Sequence, residues 1–272
     1  MSSLTSQLQS ILSAGHNSFK LVYTAPANQF ILPLTKQILV LDSSFNPPHN
    51  GHFSLIAKSM NHSRLDDHSM SHTSINSKSV LLLLSVKNAD KGVQPAKFED
   101  RLAMMYKMAD HISEQLGVAC GVGITNCSLF VDKAKEIQNY LAETQSNNLK
   151  LTFLLGYDTL IRLLDPKYYV PQKLGDALGS FFSTNDCFVL TRKNTSLSLE
   201  DQLSFVGMIK DGQLADVPAT WADKIHVVSG DDKNLNVSSS DIRKLIQANE
   251  TSWTSNTMPK VAEYITSHHP YQ

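Results

Sequence analysis

Short apolar runs alternate along the chain with segments whose apolar residues recur at helical spacing. Six of the runs lack polar alternation, which predicts strands that are covered on both faces, as in a parallel sheet. These runs are 38–41, 79–86, 118–125, 149–155, 187–191 and 225–229. Between them, apolar residues fall at i, i+3, i+4 and i+7, as Phe53, Ile56, Ala57 and Met60 do, which predicts amphipathic helices. The alternation predicts an α/β fold with a doubly wound, mostly parallel sheet.

Two stretches of the chain depart from this alternation. Residues 1–35 contain one short helical apolar pattern around Ile11, followed by prolines, and we expect them to form an N-terminal extension. Residues 59–79 are rich in Ser and His without apolar periodicity, which predicts an inserted loop after the first helix of the fold. The segment 36–272 has the length of a single large domain.

The composition excludes several function classes. Hydrophobic residues make up 42% of the chain and charged residues 18%, values that exclude a disordered tail and a membrane-spanning protein. The formal net charge of -1 argues against a general nucleic-acid-binding surface, although it leaves room for a local basic pocket. We therefore expect no nucleic-acid partner and no membrane partner, and a homo-oligomer stays open.

The cysteines bear on the cellular compartment. Cys120, Cys127 and Cys187 form no CxxC pair, which is typical of reduced, buried thiols in a reducing compartment. The first residues of the chain also lack the basic and apolar regions of a secretory signal. These features predict a cytoplasmic and/or nuclear protein.

The segment 41–53, LDSSFNPPHNGHF, carries the most chemical information. Its two prolines follow a buried strand and force a turn, after which helical spacing begins. His49 and His52 should therefore lie at the carboxyl end of that strand, beside the free N–H groups of a helix N-terminus. Gly51 lets the backbone approach a ligand closely. This arrangement predicts a phosphate site with two imidazole donors; the alternative is a pair of histidines that only caps the helix.

Two later motifs also lie at ends of predicted elements. Ser239 and Ser240 begin a predicted helix and Arg243 follows in its first turn, so hydroxyls, N–H groups and a guanidinium could hold a second phosphate. The alternative is an ordinary capped helix with a surface arginine. Gly156 and Asp158 follow the fourth predicted strand, where Asp158 could accept from a ribose hydroxyl or cap the next helix.

Taken together, these motifs resemble those of the HxGH nucleotidyltransferase superfamily. SFNPPHNGH is most similar to the signature of the nicotinamide mononucleotide adenylyltransferase family, and the long loop after the first helix resembles a divergent fungal-type branch. The segments 90–105, 154–160, 188–192 and 237–243 resemble further motifs of that family, in the family's order. The resemblance implies a Rossmann-like nucleotidyltransferase fold. It also implies an enzyme that joins ATP and nicotinamide mononucleotide to give NAD and pyrophosphate.

The resemblance also implies roles for individual residues. The catalytic residues would be His49, His52 and Arg243. The residues that contact ATP would be Ser44, Phe45, Gly51, Gly156, Asp158, Ser239 and Ser240. The residues that contact the acceptor would be Ser43, Lys91 and the competing candidate Lys87. Mg²⁺ would arrive with ATP, and we expect no metal site built from protein ligands alone.

The sequence departs from the family pattern on the acceptor side. Ser43 stands where family members commonly have Gly, and the segment 124–137 lacks the Trp on which the family stacks the nicotinamide ring. Phe130, Tyr168 or Tyr169 could supply an aromatic face instead. Alternative acceptors are therefore nicotinate mononucleotide or another phosphorylated metabolite. A further alternative is an ATP-binding or ATP-hydrolysing protein that has lost the acceptor site.

Overall fold

A computed structural model describes residues 9, 11, 13–62, 77–86, 95–144, 149–193, 197–230, 233–234 and 236–272. In it, seven strands form one sheet in the order β1-β4-β3-β2-β5-β6-β7. The strands are β1 (Phe19–Ala25), β2 (Gln37–Asp42), β3 (Lys78–Ser85), β4 (Cys120–Thr125), β5 (Lys150–Gly156), β6 (Asn185–Leu190) and β7 (Ile225–Val228). All neighbouring pairs are parallel except β1 and β4, which are antiparallel.

Helices cover both faces of the sheet. They are α1 (Asn50–Met60), α2 (Phe98–Leu116), α3 (Phe130–Glu143), α4 (Tyr157–Leu163), α5 (Leu174–Thr184), α6 (Leu199–Lys210), α7 (Ser239–Gln247) and α8 (Pro259–His268). Short 3-10 helices occupy Pro166–Tyr168, Ala219–Lys224 and Ser252–Asn256. Along β2, Leu39 and Leu41 pack with α1 and α2, whereas Ile38 and Val40 pack with α3 and α5. Successive side chains of a strand point to opposite faces of the sheet, so those of β2 belong alternately to two separate hydrophobic cores. The predicted doubly wound α/β fold is confirmed.

All six predicted strands are present, and the seventh, β1, was not predicted. It lies within the predicted N-terminal extension and pairs with β4 from Phe19 opposite Thr125 to Ala25 opposite Cys120. Because β1 lies at the edge of the sheet, most of its residues are only half-buried. Its sequence therefore has no continuous apolar run that would have predicted a strand. Residues 19–25 therefore belong to the same sheet as the rest of the chain. In the predicted helix around Ile11, several residues lie outside the described residues, but Ile11 itself is buried in the first core.

The predicted inserted loop begins within α1, which runs to Met60, and ends where β3 begins at Lys78. Its central part, 63–76, lies outside the described residues. In the part of the chain that the structure covers, no helix is both long and apolar enough to cross a bilayer.

The strand order places a crevice between β2 and β5. From β2 the sheet grows through β3 and β4 on one side and through β5, β6 and β7 on the other. Sheets of this kind bind ligands where the order reverses, outside the carboxyl ends of the strands. The loop with the two histidines follows β2 directly, so the fold brings it to this crevice.

Candidate active site

A cleft of about 700 Å³, including the open space at its mouth, lies at the carboxyl ends of β2, β5 and β6. Six of the predicted site residues line it: Ser43, His49, Gly51, His52, Gly156 and Asp158. The sequence placed these residues in two motifs more than 100 residues apart. The parallel pairing of β2 with β5 brings the two motifs together.

The hydrogen bonds of the two histidines define which nitrogen of each ring carries the proton. His49 is the N-cap of α1, and its Nδ1 accepts from the Gly51 N–H at 3.1 Å. The Nδ1 of His52 accepts from the His49 N–H, also at 3.1 Å. A neutral imidazole with an accepting Nδ1 has its proton on Nε2. Both rings, whose centroids are 3.8 Å apart, therefore carry their proton on Nε2, and that of His52 faces Ser43 Oγ at 3.0 Å.

Burial keeps His49 neutral. Its side chain is almost fully enclosed, and burial together with the nearby positive charge of Arg192 lowers the pKa of His49 from 6.5 to about 3. A neutral ring can donate a hydrogen bond to an anion without adding a full positive charge to the site. The predicted alternative, that the histidines cap the helix, is also part of the structure: capping holds the two donors in place.

Gly51 is needed for this geometry. A Cβ at this position would lie 2.9 Å from Nδ1 and Cε1 of His49. The imidazole of His49 folds back over the first turn of α1 into the space that a side chain would occupy. Any larger residue at position 51 would displace the ring.

The loop between β2 and α1 is held through its carbonyl groups by side chains from distant elements. The four donor–acceptor pairs are Arg101 Nε to Ser44 O (2.8 Å), Arg243 Nη1 to Asn46 O (2.6 Å), Ser239 Oγ to Pro47 O (2.8 Å) and Thr257 Oγ1 to Pro48 O (2.7 Å). Because α2, α7 and the segment before α8 supply these donors, three separate elements position the loop. This polar anchoring fixes the histidines relative to the rest of the cleft.

Phe45 contributes from behind the loop. It is fully buried and has a φ of 45°, a conformation that L residues rarely adopt. Its ring lies 5.1 Å from the ring of His52. Phe45 therefore supports His52 through packing.

Arg192 was not predicted as a site residue, although it lines the cleft. Its Nη1 lies 3.6 Å from Asp158 Oδ1, and both side chains are partly exposed. The buried Gln202 fixes its backbone, with the Arg192 N–H donating to Gln202 Oε1 (2.9 Å) and Gln202 Nε2 donating to Arg192 O (2.8 Å). Arg192 is two residues beyond the end of the buried strand β6, and this position at a carboxyl strand end was the available signal in the sequence.

An ion pair at the end of β2 was also not predicted. Asp42 lines the cleft, and its Oδ2 lies 2.6 Å from Lys133 Nζ on α3. Ser85 Oγ approaches Asp42 Oδ1 at 3.4 Å. Lys133 Nζ also lies 4.9 Å from the ring centroid of Phe130. These groups come from three elements, so sequence spacing gave no signal for them.

Some predicted site residues lie elsewhere. Ser239, Ser240 and Arg243 are on α7, against the outer side of the histidine loop, and Arg243 Nη2 also donates to Ser240 Oγ at 3.1 Å. Lys87 and Lys91 lie outside the described residues. The N-cap of α4 is Gly156, so Asp158 is a first-turn residue and not the cap.

None of the three aromatic candidates for base stacking lines the cleft as described. Phe130 begins α3 and packs on Phe153, with ring centroids 5.7 Å apart. Tyr169 is buried, and its hydroxyl donates to Leu163 O. Tyr168 lies in the 3-10 helix Pro166–Tyr168.

Comparison with known proteins identifies the family. No protein-family model matches the chain. Two solved structures of Plasmodium falciparum nicotinic acid mononucleotide adenylyltransferase, complexed with NaAD and with APC, have a similar fold. Each has a TM-score of 0.52 and covers 87% of this chain and 97% of that chain, at 16% and 15% identity. At such identities the similarity concerns the fold.

The sequence relationship is stronger for a Schizosaccharomyces pombe protein. Over 192 residues the two chains are 36% identical, a match that covers 70% of this chain and 67% of the relative, named "Putative nicotinamide mononucleotide adenylyltransferase". The fold agrees with this match. The chain belongs to the nicotinamide mononucleotide adenylyltransferase family of nucleotidyltransferases.

Proposed function

We propose that the protein transfers the adenylyl group of ATP to a pyridine mononucleotide, with nicotinamide mononucleotide as the principal acceptor, and releases pyrophosphate. The observation that carries this proposal is the pair of Nε2–H donors of His49 and His52. Reciprocal capping at the N-terminus of α1 holds both donors in the cleft. Such a site suits a reaction that needs stabilisation of phosphoryl charge.

The proposed reaction is an in-line displacement. An oxygen of the mononucleotide phosphate attacks the α-phosphorus of ATP and forms the new P–O bond. The bond from that phosphorus to the bridging oxygen breaks, and the electron pair leaves with pyrophosphate. Positioned donors suffice for such a transfer, and no covalent enzyme intermediate is required.

We assign the two nucleotides to opposite sides of the histidines. Gly156 and Asp158 would contact the adenosine of ATP, since Gly156 permits close approach and Asp158 can accept from ribose. Ser43, at the end of β2, would lie beside the acceptor. Arg192, between Asp158 and His49, adds a positive charge for the phosphates.

Arg243 and Ser239 would hold the outer phosphates of ATP from the N-terminus of α7. Their present hydrogen bonds to Asn46 O and Pro47 O support a second role in positioning the histidine loop. One guanidinium can serve both roles, because its five N–H donors exceed the two used on Asn46 and Ser240.

The donor set of the cleft fits a Mg²⁺ that is held mainly by phosphate oxygens. Among the described residues, no group of three or more His, Cys, Asp or Glu side chains could hold a metal ion. Asp158, whose side chain is 48% exposed, is the carboxylate that could add one ligand, and Mg²⁺ usually binds through one or two carboxylates plus substrate phosphates. When bound, the ion would neutralise charge on the leaving pyrophosphate.

The cysteines support a reducing compartment, the cytosol and/or the nucleus. All three are free and buried, and burial raises the pKa of the Cys120 and Cys187 thiols far above the ordinary value. Such thiols are protonated and poorly reactive.

Turnover with ATP and each mononucleotide in turn tests the proposal. We expect a dinucleotide and pyrophosphate in equal amounts with at least one mononucleotide, and no hydrolysis of ATP when the acceptor is absent. ATP hydrolysis without any dinucleotide would favour the alternative of a protein that has lost its acceptor site.

A further inference from the structure

The ion pair at the carboxyl end of β2 is asymmetric with respect to the cleft. Asp42 lines the cleft and its side chain is 12% exposed, whereas the side chain of Lys133 is 5% exposed. The ammonium group is enclosed by the carboxylate of Asp42 at 2.6 Å and by the ring of Phe130. The member of the pair that a ligand meets is therefore the anion.

The position of Asp42 relates this anion to the acceptor. Asp42 precedes Ser43, whose Oγ lies 3.0 Å from His52 Nε2. The proposed adenosine side is formed by residues at the ends of β5 and β6, which line the same cleft. A mononucleotide with its phosphate near His52 would then place its base toward the end of β2, where Asp42 lies.

The two pyridine mononucleotides differ by one charge in their bases. The ring nitrogen of each carries a positive charge because it is bonded to the ribose. The carboxamide of nicotinamide leaves that charge in place and offers N–H donors, whereas the carboxylate of nicotinate cancels it and offers only acceptors. A carboxylate in the cleft attracts the first base and accepts from its amide, and it repels the carboxylate of the second.

We propose that Asp42 is a specificity-determining residue that makes the acceptor site favour nicotinamide mononucleotide over nicotinate mononucleotide, with Lys133 as the buried counter-ion that offsets part of its charge. This inference rests on the proposed function. It deepens that function by naming the charged group through which the site distinguishes the two acceptors.

The test compares kcat/KM for the two mononucleotides, at saturating ATP, in a set of variants. The ratio of the two values cancels any loss of folded enzyme, which matters because breaking a buried ion pair destabilises a protein. Asp42→Asn should shift the ratio toward nicotinate by roughly tenfold, and Lys133→Met should shift it the other way. In the neutral double variant D42N/K133Q, the ratio should lie between the ratios of wild type and Asp42→Asn. A residue with only a structural role would not produce this order.

Asp186→Asn is the matched control. Asp186 is also a buried carboxylate on the same sheet, and it pairs with Lys150, but it lies at the amino end of β6. The Asp186→Asn variant should leave the ratio of the two kcat/KM values unchanged, even if it lowers the stability of the protein. Dinucleotide synthesis with the same ratio in wild type and Asp42→Asn would overturn the inference alone. If wild type makes no dinucleotide from either mononucleotide, the proposed function fails, and the inference fails with it.

Discussion

At the scale of single residues, the two histidines show how local backbone bonds prepare a site for phosphate. In both His49 and His52, Nδ1 accepts a hydrogen bond from a backbone N–H of the loop or of the first turn of α1. The remaining nitrogen of each ring is thereby fixed as a donor before any ligand binds. A donor that is already oriented stabilises the transition state far more than a donor that must first be oriented during the reaction.

Removing one of these donors should reduce the rate without unfolding the protein. We expect His52→Ala to lower kcat roughly a hundredfold, the effect of losing about 3 kcal/mol of transition-state stabilisation. His268→Ala, an exposed histidine at the end of α8, is the control and should keep full activity. Near-wild-type turnover in His52→Ala would show that phosphate is held elsewhere.

The hydroxyl of Ser43 is expected to compete with substrate for the same donor. Its Oγ accepts from His52 Nε2–H at 3.0 Å in the ligand-free protein, so a phosphate must displace it. Ser43→Ala should raise kcat/KM for the acceptor by up to about fivefold, since a net hydrogen bond is worth roughly 1 kcal/mol. A fall in acceptor kcat/KM measured at saturating ATP would instead mean that the hydroxyl itself binds the acceptor.

The depressed pKa of His49 should make stability depend on pH. Its folded-state value of about 3 lies below the ordinary 6.5, so between these values the unfolded chain binds more protons than the folded chain. Stability is then complete above about pH 6.5 and falls by up to about 1.4 kcal/mol per pH unit as the pH decreases toward 3. Denaturant unfolding of wild type and His49→Asn, which keeps an N-cap but cannot titrate, should show a steeper acid loss for wild type. Equal slopes would contradict this.

At the scale of elements, the histidine loop is positioned by helices far away in sequence. Thr257, which is buried and precedes α8, donates to Pro48 O next to His49. Loss of this bond leaves a carbonyl unsatisfied and frees the loop to move, and small misplacements of catalytic groups are costly.

Two substitutions of Thr257 separate positioning from packing. Thr257→Val keeps the shape and removes the donor, so kcat should fall roughly tenfold and the melting temperature should decrease. Thr257→Ser keeps the donor and removes a methyl group, so kcat should stay within about twofold of wild type. If both variants have the same kcat, packing and not the hydrogen bond is what Thr257 contributes.

The position of each site residue in the secondary structure also explains why some site residues were predicted and others were not. His49, Gly51 and His52 belong to one contiguous motif at a strand end, where pattern and chemistry coincide. Lys133 and Asp42 are 91 residues apart and meet only through the packing of α3 on the sheet. Periodicity predicted that α3 packs on a core but carried no information about which polar side chain reaches a strand end.

At the scale of the whole molecule, the arrangement of the sheet followed from its apolar runs, because strands buried on both faces cannot alternate. The edge strand β1 escaped prediction for the same reason, since its mostly half-buried residues have no such run. The order of strands creates the crevice between β2 and β5, and the two histidines, Gly156 and Asp158 line the cleft there. Fold and site are therefore linked through topology, and the sequence motifs only become one site once the sheet has formed.

The most direct test of adenylyl transfer follows the label in ATP. With nicotinamide mononucleotide as acceptor, ATP labelled at the α-phosphorus should transfer its label to the dinucleotide, and ATP labelled at the γ-phosphorus should transfer it only to pyrophosphate. His52→Ala should slow both transfers equally. Release of the γ-label as inorganic phosphate, with no α-label in a dinucleotide, would contradict the proposed reaction.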